Sequence, residues 1–277
     1  MFIFKKVEDL QFYLKDKKGI GFVPTMGALH QGHIYLIQEA KQQSEVVVCS
    51  IYVNPTQFNN KEDFDKYPIT INSDIILLCD GGCDVLFLPD TKEIYQEGMK
   101  QVSYELGKIA KFLEGEKRPG HFEGVAKVVS RLLEIVQPQK MFLGLKDFQQ
   151  VLVIKKLVQI KSLEVQIITC NTFREDTGLA MSSRNMRLSL DAKKQAVIIY
   201  KLMVEVKENY HKNSVESLIK NAVSNLEKHA EKVEYFVIRD ADTLEEINSG
   251  TKNAIVLVAA WFGGVRLIDN MIVDGNS

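Results

Sequence analysis

Short runs of β-branched and apolar residues alternate with helical patterns through the first two thirds of this 277-residue chain, and that alternation leaves few folds open. Residues 20–23, 46–53, 85–88, 141–143 and 165–169 read as strands, and the helices between them include 32–42, 73–79, 122–136 and 147–159. Within 122–136, Val125, Val128, Val129, Leu132, Leu133 and Val136 share one apolar face at helical spacing. Strand and helix in strict turn predict an α/β fold: a Rossmann-like parallel sheet flanked by helices, whose ligands bind beyond the carboxyl ends of the strands. From about residue 172 the pattern changes. A polar, glycine-containing segment (174–187) leads to helices at 190–210 and 214–230 and strands at 233–239, 254–260 and 266–273, which predicts a smaller α+β domain. The expected division is 1–175 and 176–277.

Strand ends therefore carry the candidate chemistry. Thr25-Met26-Gly27-Ala28-Leu29-His30-Gln31-Gly32-His33 follows the first long strand and opens a helix. Two histidines three apart lie on one helix face beside backbone N–H groups that have no intrahelical partner, and Gly27 and Gly32 let backbone approach an anion, as phosphate binding requires. The alternative is a pair of turn histidines bonded to backbone carbonyls. In Val53-Asn54-Pro55-Thr56-Gln57-Phe58, proline stops the ladder, so Asn54 and Gln57 project amides from the sheet edge that suit a hydroxy acid, or simply face solvent. Arg118-Pro119-Gly120-His121 precedes the apolar helix, with Arg118 a candidate anion ligand or a solvated charge and His121 the weaker candidate. Gly144-Leu145-Lys146-Asp147-Phe148-Gln149-Gln150 offers a tight turn, a point charge for phosphate, a helix-capping carboxylate and an amide one turn on. Met181-Ser182-Ser183-Arg184-Asn185 places two hydroxyls beside a guanidinium, a mobile cradle for pyrophosphate or an ordinary polar loop.

Bulk properties narrow the partners. With 35 basic against 36 acidic residues the net charge is −1, so no global field draws the chain to nucleic acid or an anionic membrane. The N-terminus lacks the apolar core of a signal peptide, and no uncharged run reaches the ~20 residues that span a bilayer. Cys49, Cys79, Cys83 and Cys170 form no C-x-x-C pair and read as free, mostly buried thiols of a reducing compartment. A cytoplasmic protein is expected.

Taken in order, the segments 24–33, 53–58, 118–122, 146–150 and 181–185, with Ile238-Arg239-Asp240-Ala241-Asp242-Thr243-Leu244 and Arg266-Leu267-Ile268-Asp269-Asn270 after them, closely resemble the pantothenate synthetase family. The resemblance implies ATP-dependent condensation of (R)-pantoate with β-alanine through a pantoyl adenylate, with Mg2+, in a cytoplasmic homodimer whose smaller domain closes over a HIGH-type nucleotidyl transferase core. It assigns ATP to Met26, Gly27, Ala28, Leu29, His30, Gln31, Gly32, His33, Gly144, Leu145, Lys146, Asp147, Phe173, Met181, Ser182, Ser183 and Arg184. Of these, His33 (the proton donor), His30, Lys146, Ser182, Ser183 and Arg184 are the catalytic set. Pantoate falls to Gln57, Gln150, Asn54 and Arg118, β-alanine to Gln57, and a magnesium contact to Asp74. Leu145 and Ile69 depart from the family pattern, where Glu or Gln and arginine are frequent, and Ser73 precedes Asp74 where some relatives have paired acids.

Two other readings stay open on sequence. A nucleotidyl transferase acting on a phosphorylated acceptor shares the histidine motif but lacks the paired glutamine segments. An RNA-binding module derived from a tRNA synthetase predicts a basic face and salt-sensitive RNA affinity, which the balanced charge opposes.

Overall fold

The computed structural model describes residues 1–95 and 102–274. The chain divides into two compact units, Met1–Leu145 with Gln149–Asn171, and Lys146–Phe148 with Thr172–Ser277.

In the first unit, β1 (Phe2–Phe4), β2 (Ile20–Thr25), β3 (Val46–Ile51), β4 (Val85–Phe87), β5 (Lys140–Gly144) and β6 (Gln166–Cys170) pair in parallel in the order β1-β4-β3-β2-β5-β6. The helices are α1 (Val7–Leu14), α2 (Gln31–Gln43), α3 (Lys61–Asp65), α4 (Ile71–Asp80), α5 (Thr91–Ile94), α6 (Glu114–Lys117), α7 (His121–Val136) and α8 (Phe148–Ile160). Successive strand residues point to opposite faces. Phe22, Val48, Val85, Phe87 and Met141 pack with α1, α7 and α8, whereas Val23, Val47, Cys49, Leu86 and Phe142 pack with α2 and α4. Phe22, Phe87 and Phe142 are fully buried, each contributing about 1.5–3 kcal/mol of apolar transfer. The strand order reverses at β2, with β3 on one side and β5 on the other. Ligand crevices of open α/β sheets form at such a reversal, beyond the carboxyl ends of the strands. Those ends are Thr25 and Gly144.

The second unit holds α9 (Leu190–Ala196), α10 (Ile198–Asn209), α11 (Val215–Leu226) and an antiparallel sheet of β7 (Lys232–Asp240), β8 (Ala254–Phe262) and β9 (Val265–Asp274). The α/β sheet and the α+β second part match the expectation from sequence. Two details differ. The edge strand β1 is an addition to the expected strands, and the helix expected at 190–210 is two helices with a break at Val197.

Candidate active site

The histidine loop is built from beneath. At the end of β2 the Thr25 hydroxyl donates to the Ser50 carbonyl (2.7 Å) and accepts from Gly27 N–H (3.2 Å). Two residues of left-handed backbone follow, Gly27 at φ 81° and Ala28 at φ 50°. For Ala28 such a backbone costs about 1–3 kcal/mol and persists only where neighbours over-determine it. Asp74 supplies that constraint. Its carboxylate, 1% exposed, accepts from Ala28 N–H (3.0 Å), Leu29 N–H (2.9 Å) and the Thr70 hydroxyl (2.9 Å). A hydrogen bond to a charged group contributes about 1.5–3 kcal/mol. Asp74 lies in the first turn of α4, where the helix dipole favours its negative charge.

His30 then caps α2. Its Nδ1 accepts from Gly32 N–H (3.2 Å), His33 Nδ1 accepts from His30 N–H (3.3 Å), and the rings lie 4.1 Å apart. Because each Nδ1 accepts a hydrogen bond, each neutral ring carries its proton on Nε2, a donor suited to phosphate oxygen. The expectation of unpaired N–H groups around this turn is corrected: those of Ala28 and Leu29 go to Asp74, and those of His30 and Gly32 go to the imidazoles. Gln31, the first residue of α2, is exposed, and Met26 is half-buried.

A second cluster gathers round Gln57. After β3 the chain turns through a 3-10 segment, Pro55–Gln57, capped by Asn54. Asn54 is fully buried. Its Oδ1 accepts from Thr56 N–H, the Thr56 hydroxyl (3.0 Å) and the Tyr95 hydroxyl (3.0 Å), and its Nδ2 donates to Gln57 Oε1 and the Gly124 carbonyl (both 3.2 Å). Gln57 is therefore held by its amide oxygen while Nε2 donates to the Met26 thioether at 3.2 Å. Sulfur is a weak acceptor, so a hydroxyl or carboxylate oxygen can take that donor at little cost. His121, in α7, stands with Nδ1 2.7 Å from the Gln57 carbonyl and Nε2 3.2 Å from Arg118 Nη1. Arg118 also lies 3.8 Å from Glu114. At Gly124 a Cβ would sit 2.2 Å from the Thr56 carbonyl oxygen and 2.8 Å from Gln57 Cα, so only glycine lets α7 approach this turn. The structure thus joins Met26, Asn54, Gln57 and Arg118 and adds His121, the weaker candidate on sequence.

The adjacent glutamines separate. Gln149 is buried, donating to the Ile109 and Phe112 carbonyls (2.7 and 2.8 Å) and accepting from Glu114 N–H (3.1 Å), so it anchors the segment before α6. Gln150, the expected pantoate ligand, is half-buried on α8.

In the second unit Lys146 lies 3.4 Å from Asp147, and its backbone carbonyl accepts from the Asn270 side chain at 2.8 Å. The segment expected as a mobile cradle has regular hydrogen bonding. Met181 N–H donates to the Phe173 carbonyl (3.0 Å), Glu175 N–H to that of Leu179 (2.8 Å), and Gly178 makes the turn at φ 93°. Ser182 caps a 3-10 turn, Ser183–Arg187, accepting from Arg184 N–H. Arg174 fastens the hairpin to β9, donating to both Asp269 oxygens (2.6 and 3.0 Å) beneath the Tyr200 ring. Burial pushes the Asp269 carboxyl up from its ordinary value against the pull of Arg174.

The Pantoate-beta-alanine ligase family profile matches residues 2–272. The chain belongs to that family. Among pantoate-beta-alanine ligases it is 47% identical to the pantothenate synthetase of Cytophaga hutchinsonii, over 96% of this chain and 97% of the relative. The crystal structure of the Thermus thermophilus pantothenate synthetase superposes with a TM-score of 0.94 at 38% identity, covering 99% of this chain and 100% of that one. The Francisella tularensis pantoate-beta-alanine ligase, solved with beta-gamma ATP and beta-alanine, gives a TM-score of 0.84 at 37% identity, covering 99% of this chain and 98% of that one. Magnesium fits the family expectation at Asp74 poorly. Both oxygens of that buried carboxylate already serve protein donors, and among the described residues no group of three or more His, Cys, Asp and Glu side chains could hold a metal ion.

Proposed function

We propose that this chain joins pantoate to β-alanine at the expense of ATP, giving pantothenate, AMP and pyrophosphate. The observation that carries the reading is the Gln57 amide, clamped by Asn54 and aimed at the weak acceptor sulfur of Met26, the first residue of the histidine loop. A pantoate oxygen replacing that sulfur as acceptor lies next to the loop proposed to hold the triphosphate. A carboxylate does not condense with an amine because oxide is a poor leaving group, so activation comes first. A pantoate carboxylate oxygen attacks the α-phosphorus, the bond to the bridging oxygen breaks, and pyrophosphate leaves with that electron pair. The neutral β-alanine amine then attacks the acyl carbon of the adenylate. AMP leaves, and the amine gives up one proton as the amide forms.

Charge grows on the phosphate oxygens during the first step, and preorganised donors stabilise it better than water does. His30 and His33 supply Nε2–H donors, Lys146 and Arg184 positive charge, and Ser182 and Ser183 hydroxyls. Gly27 to Leu29, Gln31, Gly32, Gly144, Leu145, Asp147, Phe173 and Met181 shape the nucleotide site. Gln57, Gln150 and Arg118 hold pantoate, with Asn54 fixing Gln57 in place, and Gln57 also meets β-alanine. We take magnesium to travel with the ATP phosphates, and the enzyme to work as a cytoplasmic homodimer, in keeping with its four free cysteines. The test is AMP release. It is expected to depend on pantoate and to rise on adding β-alanine, and release that ignores pantoate overturns the reading.

A further inference from the structure

We propose that Asp74 is the positioning residue of the nucleotide loop: its buried carboxylate grips the backbone of Ala28 and Leu29, sets the stance of His30 and His33, and is not a metal ligand. The inference rests on the reading that residues 26–33 hold ATP.

Four observations converge. The two amides that Asp74 accepts from are consecutive, and they lie 46 and 45 residues away in sequence, so one side chain on α4 fixes the path of a remote loop. The backbone that needs holding is at the same place, since Ala28 has φ 50° and follows Gly27 at φ 81°. The carboxylate is braced from its own helix as well: Thr70, the residue that caps α4, makes no side-chain cap to the backbone and gives its hydroxyl to Asp74 in the first turn. The space beside the loop is shaped round the carboxylate, because a Cβ on Gly27 would stand 3.1 Å from Asp74 Oδ2.

Leu29 is followed at once by His30, whose ring caps α2 and whose N–H is bonded to His33. Moving the grip therefore moves both imidazoles together. Displacing catalytic groups by about 1 Å lowers rates by roughly 10²-fold. Magnesium binds oxygens at about 2.0–2.1 Å in near-octahedral geometry and keeps several waters, which a 1% exposed carboxylate already bonded to three donors does not offer.

The deciding variant is Asp74→Asn, which keeps the shape but turns one oxygen into an N–H donor facing an N–H donor. ATP affinity and single-turnover adenylate formation are expected to fall about 10- to 100-fold, with pantoate affinity unchanged. The loss of ATP affinity should be equal in EDTA and in excess Mg2+. Thr70→Val, which removes one donor from outside the loop, should weaken ATP in the same direction by a smaller factor, and it decides the matter where Asp74→Asn does not fold. Wild-type ATP binding in both variants overturns the proposal. So does a defect seen only with Mg2+ or relieved by more of it, which would make Asp74 a metal ligand, and so does equal weakening of ATP and pantoate. His33→Ala separates the two levels. If it slows adenylate formation while Asp74→Asn does not, only this inference fails, and if it too turns over normally, the loop reading falls with it.

Discussion

His121 donates its Nδ1–H to the backbone carbonyl of Gln57 across 2.7 Å, while Arg118 Nη1 lies 3.2 Å from the other ring nitrogen. A carbonyl only accepts and a guanidinium only donates, so this pairing places the ring proton on Nδ1 and makes Nε2 the acceptor. Gln57 is thus fixed twice, by its side chain through Asn54 and by its main chain through His121.

Replacing His121 by alanine removes the short bond to that buried carbonyl and leaves it only the long one from Arg118 Nη2 (3.5 Å), a loss of about 1–3 kcal/mol at most. The expected result is a pantoate KM raised about tenfold, with the ATP KM within roughly twofold of wild type. Steady-state kinetics with each substrate varied in turn checks it, and equal changes in both constants contradict the assignment.

Gly124→Ala tests the approach of α7 to the same turn. The added methyl would meet backbone atoms of Thr56 and Gln57, at 2.2 Å in the nearer case, so the helix must shift. Overpacking of this kind costs about 1–3 kcal/mol. Denaturant unfolding should register that loss, and calorimetric titration should show pantoate binding weakened more than ATP binding.

Lys146→Ala and His33→Ala are expected to lower adenylate formation by about 10²–10³-fold, or 3–4 kcal/mol, the magnitude typical of a lost transition-state donor. Pantoate-dependent exchange of pyrophosphate into ATP is the measurement. Near-wild-type exchange in both variants would remove the roles proposed for them.

Acid should weaken the fold through Glu93. The carboxylate accepts from the Lys6 ammonium (2.8 Å) and from Val7 N–H at the start of α1 (2.9 Å), and these two partners hold it below the usual carboxylate range. The folded chain therefore gives up this proton more readily than the unfolded one. The stability so gained is present above the ordinary carboxylate pKa and is lost as pH falls through the lowered value. Glu93→Gln should be less stable than wild type near neutrality, with the gap closing in acid. Urea unfolding across that range reads it, and a gap independent of pH would show that the carboxylate charge is not responsible.

The middle of the sheet is legible in the sequence because β2 and β3 are buried on both faces, so residues 20–23 and 46–49 read as near-continuous apolar runs. β1 is not, because Phe2–Phe4 is short and exposed at the sheet edge. The break at Val197 is hidden for another reason: Ala192, Ala196, Ile199, Met203 and Val206 keep helical spacing straight through it. At the site, strand ends point to the right segments but not to the partners of each side chain. Nothing in Gln149-Gln150 tells which amide turns inward, and His121 looks like any turn histidine until Gln57, 64 residues away, is seen beside it. Asp74 stands out in the sequence only for its charge. What that charge holds is two backbone amides, which leave no mark on residue type.

The bond from Asn270 to the Lys146 carbonyl spans 124 residues of sequence. During synthesis the ribosome must therefore deliver the chain through Asn270 before this lysine acquires that mooring. A product ended early by a nonsense codon upstream of Asn270 still contains the lysine yet lacks the side chain that moors its backbone.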